Sequence, residues 1–315
     1  VFRQVVRRRA TLTLALIALL AVMAPATVSA LPTHRQVVHG AKRFLDRQGH
    51  QTGHRRPARI PATTAPLPTS RIVSFYGAPQ MGSTVLGLNT PEQAAAKLAK
   101  QSAPYGTAGD RQVVGAFDLV SVFATAGGGP DGLYRTRQSP EVISIYLDQA
   151  RAVGARLMLD IQPGRSSFLA ELRELREWVV QPDVDIALDP EWNVGRHGVP
   201  GQTQGSVSGR KVNRVARKLE AIAKAHDLPP KLLVVHQFRR GSIRGKRRIA
   251  RLDRVQMVLN YDGIGSPGAK QAGYAALASP KLFNGFSLFY RRDKPLMSPP
   301  TVLALYPAPD FLLYQ

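Results

Sequence analysis

From Arg71 onward, short β-branched or aromatic runs alternate with helical patterns, and this strict alternation constrains the fold more than any other feature. Candidate strands fall at Ile72–Tyr76, Ala116–Phe123, Arg156–Ile161, Val184–Leu188, Leu232–His236, Val255–Tyr261, Gly285–Tyr290 and Phe311–Tyr314. Helical patterns lie between them at Pro91–Ala103, Pro140–Val153, Ser166–Val180, Ser208–His226 and Pro267–Ala278, and Thr90-Pro91 and Ser139-Pro140 are start signals with proline in the first turn. Alternating strands and helices make parallel strands joined by crossover helices. Residues 71–315 number 245, close to the ~250 of an eight-fold β/α barrel. The expected fold is therefore α/β, a (β/α)8 TIM barrel. The alternative, a doubly wound open sheet, has no glycine-rich phosphate fingerprint after its first strand.

Two segments precede the barrel. Arg3 to Arg9 form a cationic region, Thr11 to Ala24 an almost unbroken apolar run, and Val28-Ser29-Ala30 a small-residue cleavage site. That is the grammar of a secretory signal peptide over residues 1–30, and the apolar run falls short of the ~20 residues of a spanning helix. The expected location is secreted or cell-envelope associated. Residues 31–70, rich in His, Arg, Gln, Thr and Pro, read as a disordered basic linker with at most a short helix around Val37–Leu45. The domain plan is thus 1–30, 31–70 and a barrel over 71–315.

Charge and cysteine content narrow the chemistry. With no cysteine, the chain has no disulfide scaffold, cysteine nucleophile or Cys-ligated metal. The 43 Lys+Arg against 21 Asp+Glu give a net charge of +22, of which residues 1–70 hold eleven cations and one acid, Asp46. The strongest later run, Arg239, Arg240, Arg244, Lys246, Arg247, Arg248, Arg251 and Arg254, is opposed only by Asp253. It reads as a solvated basic face or as a border attracting an anionic envelope polymer. Without interleaved aromatics it is not a nucleic-acid surface. No Gly-x-Ser-x-Gly elbow supports a serine hydrolase.

Barrel function sits at the C-terminal ends of the strands. Reading each strand to its end gives Tyr76, Asp160 with Gln162, Asp189 with Glu191, His236 with Gln237, Asn260 with Tyr261 and Asp262, and Tyr290. In Asp183-Val-Asp-Ile-Ala-Leu-Asp-Pro-Glu-Trp192 the strand period puts Val184, Ile186 and Leu188 on one face. Asp185, Ala187, Asp189 and Glu191 take the other and point to the mouth, Asp189 and Glu191 about 6–7 Å apart if the strand stays extended. Two such acids resist joint ionisation, so one keeps a proton as a general acid. Asp160 either lines the mouth or pairs with Arg165. Trp192, Tyr76, Phe289 and Tyr290 are candidate sugar-stacking faces or packing residues.

Asp189-Pro190-Glu191 after the fourth strand and Asn260-Tyr261-Asp262 after the sixth resemble the active-site layout of chitinase-like glycoside hydrolases of family 18. The resemblance covers only these two strand ends; Val184 and Ala187 stand where that family has further aspartates, and Leu259 where it has methionine. It implies that Glu191 protonates the glycosidic oxygen, that Asp189 orients the substrate's acetamido group, and that Tyr261 and Asp262 help hold it.

The expected function is hydrolysis of glycosidic bonds in an envelope or extracellular glycan, with Glu191, Asp189 and Asp160 catalytic. Tyr76, Trp192, His236, Gln237, Tyr261, Asp262 and Tyr290 bind substrate, with no cofactor and no metal. The partner is a glycan or cell-wall polysaccharide, with electrostatic association to an anionic envelope. Two alternatives stand beside it: a metal-dependent hydrolase using Asp160, Asp189, Glu191, His236 and Asp262, and a non-catalytic barrel that binds an acidic wall polymer.

Overall fold

The computed structural model describes residues 31–49 and 66–315. The expected signal peptide and the 50–65 stretch of the expected linker lie outside the described residues.

Eight parallel strands close into a barrel: β1 Ser70–Gly77, β2 Gln112–Ala124, β3 Arg156–Ile161, β4 Val184–Leu188, β5 Lys231–Gln237, β6 Val255–Tyr261, β7 Phe283–Leu288 and β8 Phe311–Tyr314. Closure is made by β1, which pairs with β8 through Ile72↔Phe311 and with β2 through Tyr76↔Asp118. The eight expected strands are therefore the eight barrel staves. The seventh lies two residues earlier than its hydrophobic run suggests, leaving Phe289 and Tyr290 beyond the strand.

Local signals explain the connecting helices. Thr90 caps the Pro91–Ala108 helix through its hydroxyl, and Gln93 returns the bond to the Thr90 amide, a reciprocal capping box. Ser208 caps the Gly209–Ala225 helix, whose Val212, Val215, Ala216, Leu219, Ile222 and Ala223 recur at three- and four-residue spacing and are all buried. The pattern over 166–180 forms two pieces, Phe168–Glu174 and Arg176–Val179, because the backbone turns at Leu175. Between β5 and β6 only a 3-10 turn, Lys246–Arg248, stands where a helix would be.

The tether expectation is corrected for residues 34–48, which form a helix, His34–Gln48, docked on the barrel. Its apolar positions are few but lie on one face: Val37 and Ala41 are buried, and Phe44 stacks on Tyr146 at 6.1 Å. Thr33 and Gln36 form a capping box, and the His34 Nδ1 lies 2.8 Å from Thr136 Oγ1. Farther along, Leu67 is buried, its amide donating to Gln256 Oε1 at the base of the barrel.

Inside the barrel, residues paired in parallel register share a face. Val184, Ile186 and Leu188 are buried on the outward face of β4, as the period demands. Asp185, expected near the mouth, lies instead at the opposite end. Arg156, the first residue of β3, grips it with two bonds of 2.6 and 3.0 Å, and the Leu232 amide adds a third at 2.8 Å. Both partners are nearly solvent-free. Removing one partner of such a pair leaves an uncompensated buried charge, so Arg156→Met should cost about 3–5 kcal/mol in urea unfolding. The Arg156→Met, Asp185→Leu double variant should recover most of that loss; a single variant as stable as the parent would show that the pair contributes no constraint.

Candidate active site at the barrel mouth

The C-terminal ends of the strands deliver a polar interior ring. Tyr76 on β1 shares register with Asp118 on β2, His236 on β5 with Asn260 on β6, and Asn260 in turn with Gly285 on β7. Asp160 on β3 pairs with Val120 and Ala187. A bulge between Val120 and Val122 sets Ser121 out of register, and its hydroxyl donates to the Asp160 carbonyl at 2.8 Å. Gln162 closes this side, donating to the Tyr76 hydroxyl at 3.0 Å and accepting from the Ala124 amide.

His236 is the centre of the ring. Its Nδ1 donates to Asp262 Oδ2 at 2.7 Å, and its Nε2 lies 3.2 Å from Asp160 Oδ2 and 4.0 Å from Asp118 Oδ2. Asp262 is held by Asn260 Nδ2 at 2.6 Å and by the Ser287 hydroxyl, which also accepts from Asn260 Nδ2. Burial opposes charge on the imidazole, but Asp262 and Asp160 prevail and hold its proton well above the ordinary value. Burial raises the proton affinity of Asp160 and, well above the ordinary carboxylate value, that of Asp118 and Asp189. Asp160's charge adds to the rise at Asp118 and Asp189, while His236 partly offsets it at all three. Tyr76 is likewise pushed well up, first by burial and then by the surrounding aspartates.

Asp189 and Glu191 reach the mouth from the end of β4, but not as an extended pair. After Asp189 the chain enters a 3-10 turn, Pro190–Trp192, and Asp189 Oδ1 accepts the Glu191 amide at 3.2 Å. Proline at the first position and an aspartate cap favour this turn over continued strand. Glu191 is half-buried. Desolvation raises its proton affinity, Asp262's charge adds to that, and the Arg239 and Arg292 guanidinium groups moderate it.

Other expected site residues lie elsewhere. Gln237 faces outward, donating to the Leu277 carbonyl and accepting from Lys246 Nζ. Tyr261 also faces outward, its ring packed between Tyr274 and Phe286, with centroids at 6.4 and 6.0 Å. Its hydroxyl fills space that a Cβ on either Gly263 or Gly273 would take. The acetamido-holding role implied for Tyr261 therefore has no counterpart in this geometry. Tyr290 stacks on Tyr314 at 5.3 Å and donates to Gln101 on the Pro91–Ala108 helix, outside the mouth. Trp192 is half-buried on the same turn as Glu191. Asp160 takes the mouth-lining alternative, because Arg165 is spent on the Gly198 carbonyl and the Tyr134 ring. The basic run is not one patch. It leaves the mouth at Arg239 and reaches the barrel base at Arg254, where it bonds the Leu228 carbonyl.

Asp118 and Ser287 belong to the site and went unread. Asp118 carried a signal, a lone carboxylate within the apolar Ala116–Phe123 run, since charged side chains are almost never fully buried unless paired. Ser287 carried none.

The chain is thus a closed (β/α)8 barrel with a carboxylate-rich mouth centred on one histidine. Comparisons with family models, with curated proteins and with solved structures find no match for it. Among the described residues no helix is long and apolar enough to cross a membrane.

Gly285 keeps the ring together by having no side chain: a Cβ there would sit 2.5 Å from Asn260 Oδ1. Gly285→Ala should therefore cost about 1–3 kcal/mol through overpacking. Denaturant unfolding checks this, and an unchanged midpoint would mean that Asn260 is free to move.

Proposed function

We propose that this chain is a glycoside hydrolase acting outside the cytoplasm on an envelope or extracellular glycan, with Glu191 as the general acid. The observation that carries the reading is Glu191 itself. It is a half-buried carboxyl at the rim of a barrel mouth, raised in proton affinity by desolvation and by Asp262, which is the direction a general acid requires. The acid donates that proton to the glycosidic oxygen as the bond to the anomeric carbon breaks. Asp189 fixes the turn that carries Glu191 and so sets where the acid stands relative to the glycosidic oxygen. Water adds to the anomeric carbon, and the proton it loses restores the acid. Trp192 on the same turn is an apolar platform for a sugar ring.

Arg239 and Arg292, close enough to Glu191 to act on its charge, support an acidic or envelope-bound polymer as substrate. The expected signal peptide supports the location.

Product release from envelope and storage glycans, read by mass spectrometry, tests the assignment. Glu191→Gln should leave the unfolding midpoint unchanged and lower turnover by about 10²-fold or more. A general acid works in its protonated form, so kcat/KM should be high below the Glu191 pKa and fall as pH rises through it. That alkaline limb should be absent from the residual activity of Glu191→Gln. Tyr261→Phe, altered outside the mouth, should turn over like the parent. Undiminished release by Glu191→Gln would remove Glu191 from the reaction.

A further inference from the structure

Beneath the mouth, three side chains are arranged in a way that the proposed hydrolysis does not use. One carboxylate oxygen each from Asp118 and Asp160, together with a ring nitrogen of His236, lie within 4.8 Å of one another. They come from three strands, β2, β3 and β5, and are 0 %, 0 % and 5 % exposed. Both oxygens of Asp118, both of Asp160 and the His236 Nε2 have no hydrogen-bond partner among the described residues. The 3.2 Å approach of Nε2 to Asp160 Oδ2 is an ion-pair contact when the imidazole is protonated but lacks the alignment of a hydrogen bond, and Asp118 comes no nearer to Nε2 than 4.0 Å. Buried carboxylates without donors are costly, and native proteins seldom leave them so.

We infer that Asp118, Asp160 and His236 bind one divalent transition-metal ion. The second layer around them has the form such a site requires. The His236 Nδ1–H donates to Asp262, which fixes the tautomer and turns Nε2 toward the two aspartates. Asp262 is in turn fixed by Asn260 and Ser287. One imidazole nitrogen with two carboxylates suits Zn2+ or Mn2+, whereas Ca2+ takes six or more oxygens. The ion supplies two positive charges where a protonated imidazole supplies one, and any proton on Nε2 leaves to solvent as the ion binds.

This inference does not rest on the glycosidase reading, since ion binding is measured without glycan and either can fail alone. The purified chain, stripped with chelator, is dialysed against MnCl2 or ZnCl2, and retained metal is counted by mass spectrometry alongside the thermal unfolding midpoint. The expected result is one ion per chain and a raised midpoint. Asp118→Asn and Asp160→Asn should abolish retention, while Asp262→Asn should weaken it about 10–100-fold. Mn2+-loaded parent protein, which needs no variant to fold, should show coupling to a single imidazole nitrogen in pulsed electron paramagnetic resonance. Failure of the parent to retain either ion, retention by Asp118→Asn equal to the parent's, or absence of the nitrogen coupling would each overturn the site.

Discussion

The hydrogen bonding of β1 to both β2 and β8 is the constraint on which everything else depends. It removes both edges of the main strand circuit and sends every strand's C-terminal end to one rim. Once the circuit closes, the two-residue period of each strand assigns alternate side chains to the interior. Tyr76, Asp118, Asp160, His236, Asn260 and Ser287 then converge, although they are spread over more than two hundred residues of chain.

The interior treats its charges differently at its two ends. At the base, Asp185 receives a two-pronged Arg156 and a backbone amide, so its charge is fully answered. At the mouth, Asp118, Asp160, Asp189 and Asp262 surround one imidazole, and there are more carboxylates than cations to answer them. Low dielectric holds the first arrangement together and raises the proton affinity of buried aspartates in the second, because the same burial that strengthens a pair penalises a lone charge. Glu191 stands at the boundary, half in water, on a turn that Asp189 pins.

Strand positions were legible because each stave is a run of β-branched and aromatic residues bounded by turn chemistry. The Asp189-Pro190-Glu191 segment was legible as a strand end, but not as a 3-10 turn, since proline and aspartate favour either. The docked His34–Gln48 helix was legible only as a short helix around Val37–Leu45, because its buried face is supplied by Val37, Ala41, Phe44 and Leu45 within an otherwise basic stretch. Gln237 and Tyr261 illustrate the opposite difficulty. Each neighbours a genuine mouth residue in sequence, His236 and Asn260, and for that reason points the other way.

By itself the sequence determined the alternation of strands and helices, the barrel that alternation implies, and the set of strand ends from which a site is drawn. These follow from local periodicity, which each segment carries within its own residues. Only the tertiary structure decided that Asp118 belongs with His236, that Asp185 serves the base, and that Tyr261 packs against a helix. Those assignments depend on strand register and on which partner reaches each buried charge, and both arise only when distant segments meet.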